Sequence, residues 1–152
     1  MAESKRSETI EEHLARIRPF FENAPFAKTL GIQIDSMSVD EASVRLPWAE
    51  HLGRTLNVLH GGAIAALIDL AAGVAALSDF EKIESLNAAT LNLLTNYLSA
   101  GAPGKDVIAT GRVRKRGRSI VVVDVDIEDA EGKLIATGTA TYKMGTKVGK
   151  HE

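Results

Sequence analysis

Between Gly61 and Leu77 the chain reads GGAIAALIDLAAGVAAL, an apolar run broken by one charge, Asp69. A helix of this composition has no wet face and must be covered on every side. The run is short for a membrane span, which takes about 20 residues. A charge at its centre would also cost about 2.5 kcal/mol or more in lipid. A buried helix accounts for both features. The rest of the chain must supply the cover.

Downstream, the hydrophobic period is two. Val121, Val123, Val125 and Ile127 alternate with Val122, Asp124 and Asp126, the pattern of a strand with one buried face. NAATLNLLTNYL predicts another strand, with Leu91, Leu93 and Tyr97 on one side and Thr90, Asn92 and Asn96 on the other. Residues 106–144 hold three strands in all, with hairpin turns at Gly117 and at Glu131-Gly132. Upstream, Ile32–Leu46 reads as a hairpin turning near Asp40-Glu41, and residues 49–59 have no clear period. Thr9 and Glu12 fit a capping box ahead of Ile10, Leu14 and Ile17, which predicts an amphipathic helix that Pro19 and Pro25 end or restart. The order is helix, two strands, long helix, four antiparallel strands. This is an α+β arrangement in which a curved sheet of about six strands wraps one central helix. One such sheet covers only part of an all-apolar helix, so the N-terminal helix or a second subunit supplies the rest, and a homodimer is expected. The expected divisions are an N-terminal helical segment (1–24), one domain (25–146) and a tail (147–152).

Several chemistries are excluded or lack support. The 152 residues suit a single domain, and the net charge of -2 argues against a dedicated nucleic-acid binder. Cysteine is absent, which removes disulfides and thiol nucleophiles and fits a reducing, cytoplasmic setting. His13, His51, His60 and His151 form no HxH or HExxH pair, so no metal is expected. GxGxxG, GxxxxGK[ST] and GxSxG do not occur, and no cofactor is implied. The first thirteen residues are polar, with no signal-peptide core.

LHGGAIAALIDLAAGVAAL, with TLNLLTNYLSAGAPG and GRVRKRGRSIVVVDVDIEDAEGKLIATGTATY after it, resembles hot-dog-fold thioesterases of the phenylacetate-pathway (PaaI-like) type over roughly residues 25–143. In that family an HGG precedes the central helix and an acidic residue lies nine positions after the His, here His60 and Asp69. The family often has Gly three positions before the His, where this chain has Asn57. The approach loop therefore departs from the pattern at Asn57, which is kept as a candidate site residue.

The resemblance implies an acyl-CoA thioesterase that needs neither metal nor cofactor, a homodimer pairing again into a homotetramer, with active sites at the subunit interface. Asp69 would be the nucleophile or general base. Kept alone among apolar side chains, a carboxylate costs several kcal/mol, on the order given for desolvated charges, and such a cost is chiefly retained where the group acts. Gly61 and Gly62 suit a tight helix start. By resemblance, the Gly62 amide polarises the thioester oxygen, as an unpaired helix-start N–H at the positive end of the dipole can do. His60 is either structural or shapes the approach loop near the thioester sulfur. Thr90 is either an ordinary strand residue or, by resemblance, the holder of the hydrolytic water. RVRKRGR, residues 112–118, is either a solvated hairpin or a positive patch, with Arg116, Gly117, Arg118 and Ser119 meeting the CoA phosphates. Two other readings stand beside this one. A non-catalytic acyl-CoA-binding module has no use for Asp69, and a hot-dog hydratase or dehydratase needs a second acid or base at a convincing spacing, which is not seen. The acyl group itself is not legible.

Overall fold

Thr9 opens the first helix as expected. Its hydroxyl accepts from the Glu12 N–H at 3.2 Å, and Glu12 Oε2 accepts from the Thr9 N–H at 2.9 Å. In the computed structural model, which describes residues 8–79 and 88–145, this helix, α1, runs Ile10–Glu22. Two expectations change. The most buried face is His13, Ile17 and Phe21 rather than Ile10, Leu14 and Ile17. Pro19 lies inside the helix and does not end it. Its ring sits on the exposed side, where water can satisfy the carbonyl that loses a partner. Helix α2, Pro25–Leu30, starts with proline and stops at Gly31, whose φ of 76° is left-handed. The terminal segments 1–7 and 147–152 lie outside the described residues.

Strands β1 (Gln33–Ser38) and β2 (Glu41–Leu46) form the first hairpin. The aperiodic connection becomes two short 3₁₀ turns and a small antiparallel pair, β3 (Gly53–Arg54) with β4 (Val58–Leu59). Helix α3 spans Gly61–Ala76. Strands β5 (Ala88–Tyr97), β6 (Val107–Arg116), β7 (Ile120–Asp129) and β8 (Leu134–Met144) complete one antiparallel sheet in the order β1-β2-β6-β7-β8-β5. Helix α3 packs against one face of this sheet, the hot-dog arrangement that the resemblance implied.

Glycine in the sheet lets the helix lie close. A Cβ on Gly111 would stand 2.9 Å from the Ala71 carbonyl oxygen, and one on Gly138 would stand 2.7 Å from an Ile68 methyl. The alternation of β7 holds: Val121, Val123, Val125 and Ile127 are buried. The helix itself divides in two. Ala71 to Leu77 is enclosed by the chain's own elements, and His13 Nε2 lies 3.3 Å from the Leu77 carbonyl oxygen. Along the first two turns, Gly62, Ala65, Ala66 and Asp69 form a stripe that is not buried. The cover expected from elsewhere is therefore needed only on that stripe.

Strand β5 lies at the end of the sheet, and its outer edge has no strand partner among the described residues. Leu91, Leu94, Tyr97 and Leu98 are each more than half exposed there. The opposite edge, β1, has cover from α1, where Glu22 Oε1 accepts the Ile34 N–H at 3.0 Å.

Candidate active site

Simple alternation puts Thr90 on the face opposite Leu93 and Tyr97. The structure corrects this. Pairing of β5 with β8 slips by one residue between Thr90 and Asn92, so Thr90 stands opposite Tyr142 while Leu93 stands opposite Ala140. The extra residue, Leu91, returns Thr90 to the face that carries Leu93 and Tyr97, toward the helix. Thr90 Oγ1 then donates to Asp69 Oδ1 at 2.7 Å.

A second donor had no place in the sequence reading. Tyr142 Oη lies 2.6 Å from Asp69 Oδ1 and 2.6 Å from the Asp69 carbonyl oxygen. Burial and the hydrogen bond to Asp69 both push the phenol pKa well above its ordinary value, so it stays a proton donor. The ring reaches Asp69 because Gly73, one turn on, has no side chain: a Cβ there would lie 3.1 Å from the phenol oxygen. An isolated glycine four residues after Asp69, together with a tyrosine in the last strand, was the available signal. Both hydroxyls engage Oδ1, and Oδ2 has no hydrogen-bond partner among the described residues. Asp69 is half-buried on the open stripe rather than sealed in the core.

At the helix start, His60 is the N-cap. Its Nδ1 accepts from the Gly62 N–H at 2.8 Å, which in a neutral ring leaves the proton on Nε2. The Ala63 and Ile64 amides both go to the His60 carbonyl. Of the first four donors only the Gly61 N–H is without an acceptor among the described residues. The oxyanion role expected of Gly62 meets an amide already engaged, and Gly61 is the open donor one residue earlier. Tyr97 Oη donates to the Gly61 carbonyl at 2.8 Å. Gly61 also lines a cavity of about 370 Å³. His60→Ala should lower stability by about 1 kcal/mol through loss of the cap, with His60→Asn restoring most of it. Chemical denaturation of both variants checks this.

Asn57 is conformational here. Leu56 and Asn57 both have positive φ, 68° and 55°. Asparagine tolerates that region better than most residues, which is why glycine is the common alternative. The Asn57 carbonyl accepts from the Gly104 N–H at 2.8 Å, pinning the loop.

The basic run is not one positive field. Arg112 pairs with Glu41, and Arg114 with Asp124. Arg116, expected to meet phosphates, has a side chain only 8% exposed, bonded to Asp40 at 2.7 Å and to Asp79 at 3.2 Å. Its guanidinium also lies 3.4 Å from the Ala75 carbonyl, tying the end of α3 to the β1–β2 turn. It is committed inside the chain. Gly117 makes the expected hairpin turn, donating to the Ile120 carbonyl at 2.8 Å, and Arg118 and Ser119 are exposed beside it. No group of three or more metal-ligating side chains occurs among the described residues. Nor is any described helix long and apolar enough to cross a membrane.

Comparison with known proteins agrees with this fold. Residues 56–136 match the model of the thioesterase superfamily, and the chain belongs to that superfamily. A candidate esterase of Saccharolobus solfataricus is 31% identical over 141 residues, which cover 91% of this chain and 98% of that one. The medium/long-chain acyl-CoA thioesterase YigI of Escherichia coli is 28% identical over 145 residues, covering 83% and 89%. Among solved structures, the Escherichia coli PaaI protein of the phenylacetic acid degradation operon superposes with a TM-score of 0.79 at 25% identity, covering 91% of this chain and 97% of that one. Zebrafish thioesterase superfamily member 2 gives 0.76 at 25% identity, covering 91% and 100%.

Proposed function

We propose that the protein is a PaaI-like acyl-CoA thioesterase, working in the cytoplasm as a homodimer that pairs into a homotetramer. The observation that carries the reading is Asp69: a carboxylate on the open stripe fixed through Oδ1 by Thr90 and Tyr142, with no hydrogen-bond partner for Oδ2 among the described residues. A non-catalytic binding module gains nothing from that arrangement. A hydratase needs a second acid-base group, and the neighbours of Asp69 among the described residues are hydroxyls.

The pieces are too far apart for one chain to work alone. Gly61 and Asp69 are eight residues apart, a rise of ~12 Å at ~1.5 Å per residue. A two-fold dimer that pairs the exposed edges of β5 antiparallel resolves this. It sets the Thr90 end of one strand against the Tyr97 end of the other. Thr90 holds Asp69 and Tyr97 holds Gly61. Asp69 is thereby carried toward the partner subunit's Gly61. The same pairing brings Tyr97 and the open stripe of α3 to the subunit interface.

In that site the thioester oxygen rests on the Gly61 N–H. Asp69 Oδ2 either attacks the carbonyl carbon or takes a proton from the water that does. The oxyanion formed is stabilised by the amide and the positive helix end. Its collapse breaks the C–S bond. Where Asp69 has activated the water, the proton it took passes to the thiolate and CoA leaves as the thiol beside the free acid. Where Asp69 is the nucleophile, the thiolate takes its proton from water, and a second water hydrolyses the acyl-Asp69 anhydride to the free acid. Arg118 and Ser119, exposed at the β6–β7 turn, are assigned to the CoA phosphates; Arg116 is not assigned there.

Two measurements test the reading. Thiol release from a panel of acyl-CoAs should be rapid for at least one chain length and absent without protein. No release from any of them contradicts the assignment. Size-exclusion chromatography with light scattering should give a dimer or tetramer mass at micromolar concentration. A monomer contradicts the shared site.

A further inference from the structure

The cavity beside Gly61 has an apolar floor. Leu59, Ile64, Val107 and Ile135 line it, each 8% exposed or less. Its lining also includes two exposed cations, Arg54 and Lys105. Neither takes part in an ion pair or side-chain hydrogen bond among the described residues, and no Asp or Glu lines the cavity. The nearest acid in sequence, Asp106, is occupied elsewhere: its Oδ1 accepts the Trp48 N–H at 2.9 Å and its Oδ2 faces Arg45 at 3.7 Å.

Both cations stand on anchored backbone. Arg54 pairs with Val58 across the β3–β4 ladder. The segment before Lys105 is tied to the same loop through the bond from Gly104 to Asn57. An apolar floor with two uncompensated positive charges suits a ligand that is apolar along its length and anionic at one end.

Resting on the thioesterase reading, we propose that this cavity takes the acyl group of the substrate, and that Arg54 and Lys105 select an acyl chain ending in a carboxylate. The location favours the acyl end over the CoA end. The cavity is about 370 Å³ and touches Gly61, where the thioester carbonyl is held. The phosphates of CoA lie a full pantetheine arm away from that carbonyl. A carboxylate a few methylenes from the thioester fits the same small space. The two cations attract it, whereas a plain alkyl end gains nothing from them.

The test compares hexanoyl and adipyl thioesters, which differ by the terminal carboxylate, each carried on CoA and on pantetheine without the nucleotide phosphates. The wild-type protein should show a kcat/KM at least tenfold higher for adipyl on both carriers. The Arg54→Ala/Lys105→Ala variant should lose that preference on both carriers, and Arg54→Lys/Lys105→Arg should keep it. Equal wild-type rates for adipyl and hexanoyl overturn the proposal. So does a loss in the alanine variant that appears with both CoA thioesters and vanishes with both pantetheine thioesters, which would assign the cations to the CoA phosphates. Hydrolysis of none of the four overturns the carboxylate preference, whereas only failure across the whole acyl-CoA panel overturns the thioesterase reading, so the two failures are distinguished.

Discussion

Replacing Asp69 with asparagine should lower kcat for acyl-CoA hydrolysis by roughly 10²-fold or more, the effect of losing a general base. The substitution preserves size, and the amide oxygen still accepts from Thr90 and Tyr142. Oδ2 becomes an amide nitrogen, which neither attacks a carbonyl nor takes a proton from water. Folding and assembly should persist, because the neutral amide is no harder to bury than the carboxylate. Steady-state kinetics and light scattering on one preparation check both halves. Wild-type turnover by Asp69→Asn would return the residue to a purely structural role.

Arg116→Ala is expected to have the largest effect on stability. The guanidinium is nearly buried between Asp40 and Asp79 and reaches the Ala75 carbonyl. Removing it takes one cation away from Asp40 and Asp79 together. Asp40 is itself held at a positive φ of 66° in the β1–β2 turn, with its N–H donating to Ser78 Oγ. Loss of one partner of a buried pair costs about 3–5 kcal/mol. For a domain of this size that lowers Tm by roughly 10 °C. Thermal unfolding followed by circular dichroism measures it, and a change of a degree or less contradicts the role assigned. Any effect on KM that matched the fall in stability would be indirect, since Arg116 faces into the chain.

What could be read from the sequence was whatever rests on period and turn chemistry. Alternation in Val121–Ile127 marked a strand with one buried face, Thr9 and Glu12 marked a helix start, and Gly117 marked a hairpin. These are local signals, and the structure keeps each of them. The α3 run also announced its own burial, and Asp69 stood out because nothing else in the run is charged. Features that depend on register were hidden. One extra residue at Leu91 turns Thr90 onto the helix face, and alternation counted from either end cannot reveal a slip. Tyr142 reaches Asp69 across a fold of 73 residues, through a gap left by Gly73. Pro19 continues a helix because of where its ring points, which depends on the docking of α1. The basic run looked uniform because its counter-charges, on Glu41, Asp40, Asp79 and Asp124, come from other elements or across the hairpin. The His60 cap on Gly62 depends on one side-chain rotamer, so the choice between Gly61 and Gly62 as open donor required coordinates.

The central claim is that each site joins Asp69 of one subunit to the helix start of the other. It is tested most directly by mixing two inactive variants. Asp69→Asn lacks the carboxylate. Gly61→Val places a branched side chain against the Tyr97 ring, which a Cβ at that position would already meet at 3.4 Å, and closes the approach to the Gly61 amide. Each alone should be nearly inactive. Unfolded together and refolded at equal amounts, half of the dimers carry one of each chain, and every such dimer has one intact site and one doubly broken site. Acyl-CoA hydrolysis should then recover to about a quarter of the wild-type rate, as expected for random pairing in a two-fold dimer. A mixture no more active than the separate variants, with mixed dimers shown to form, would contradict the account.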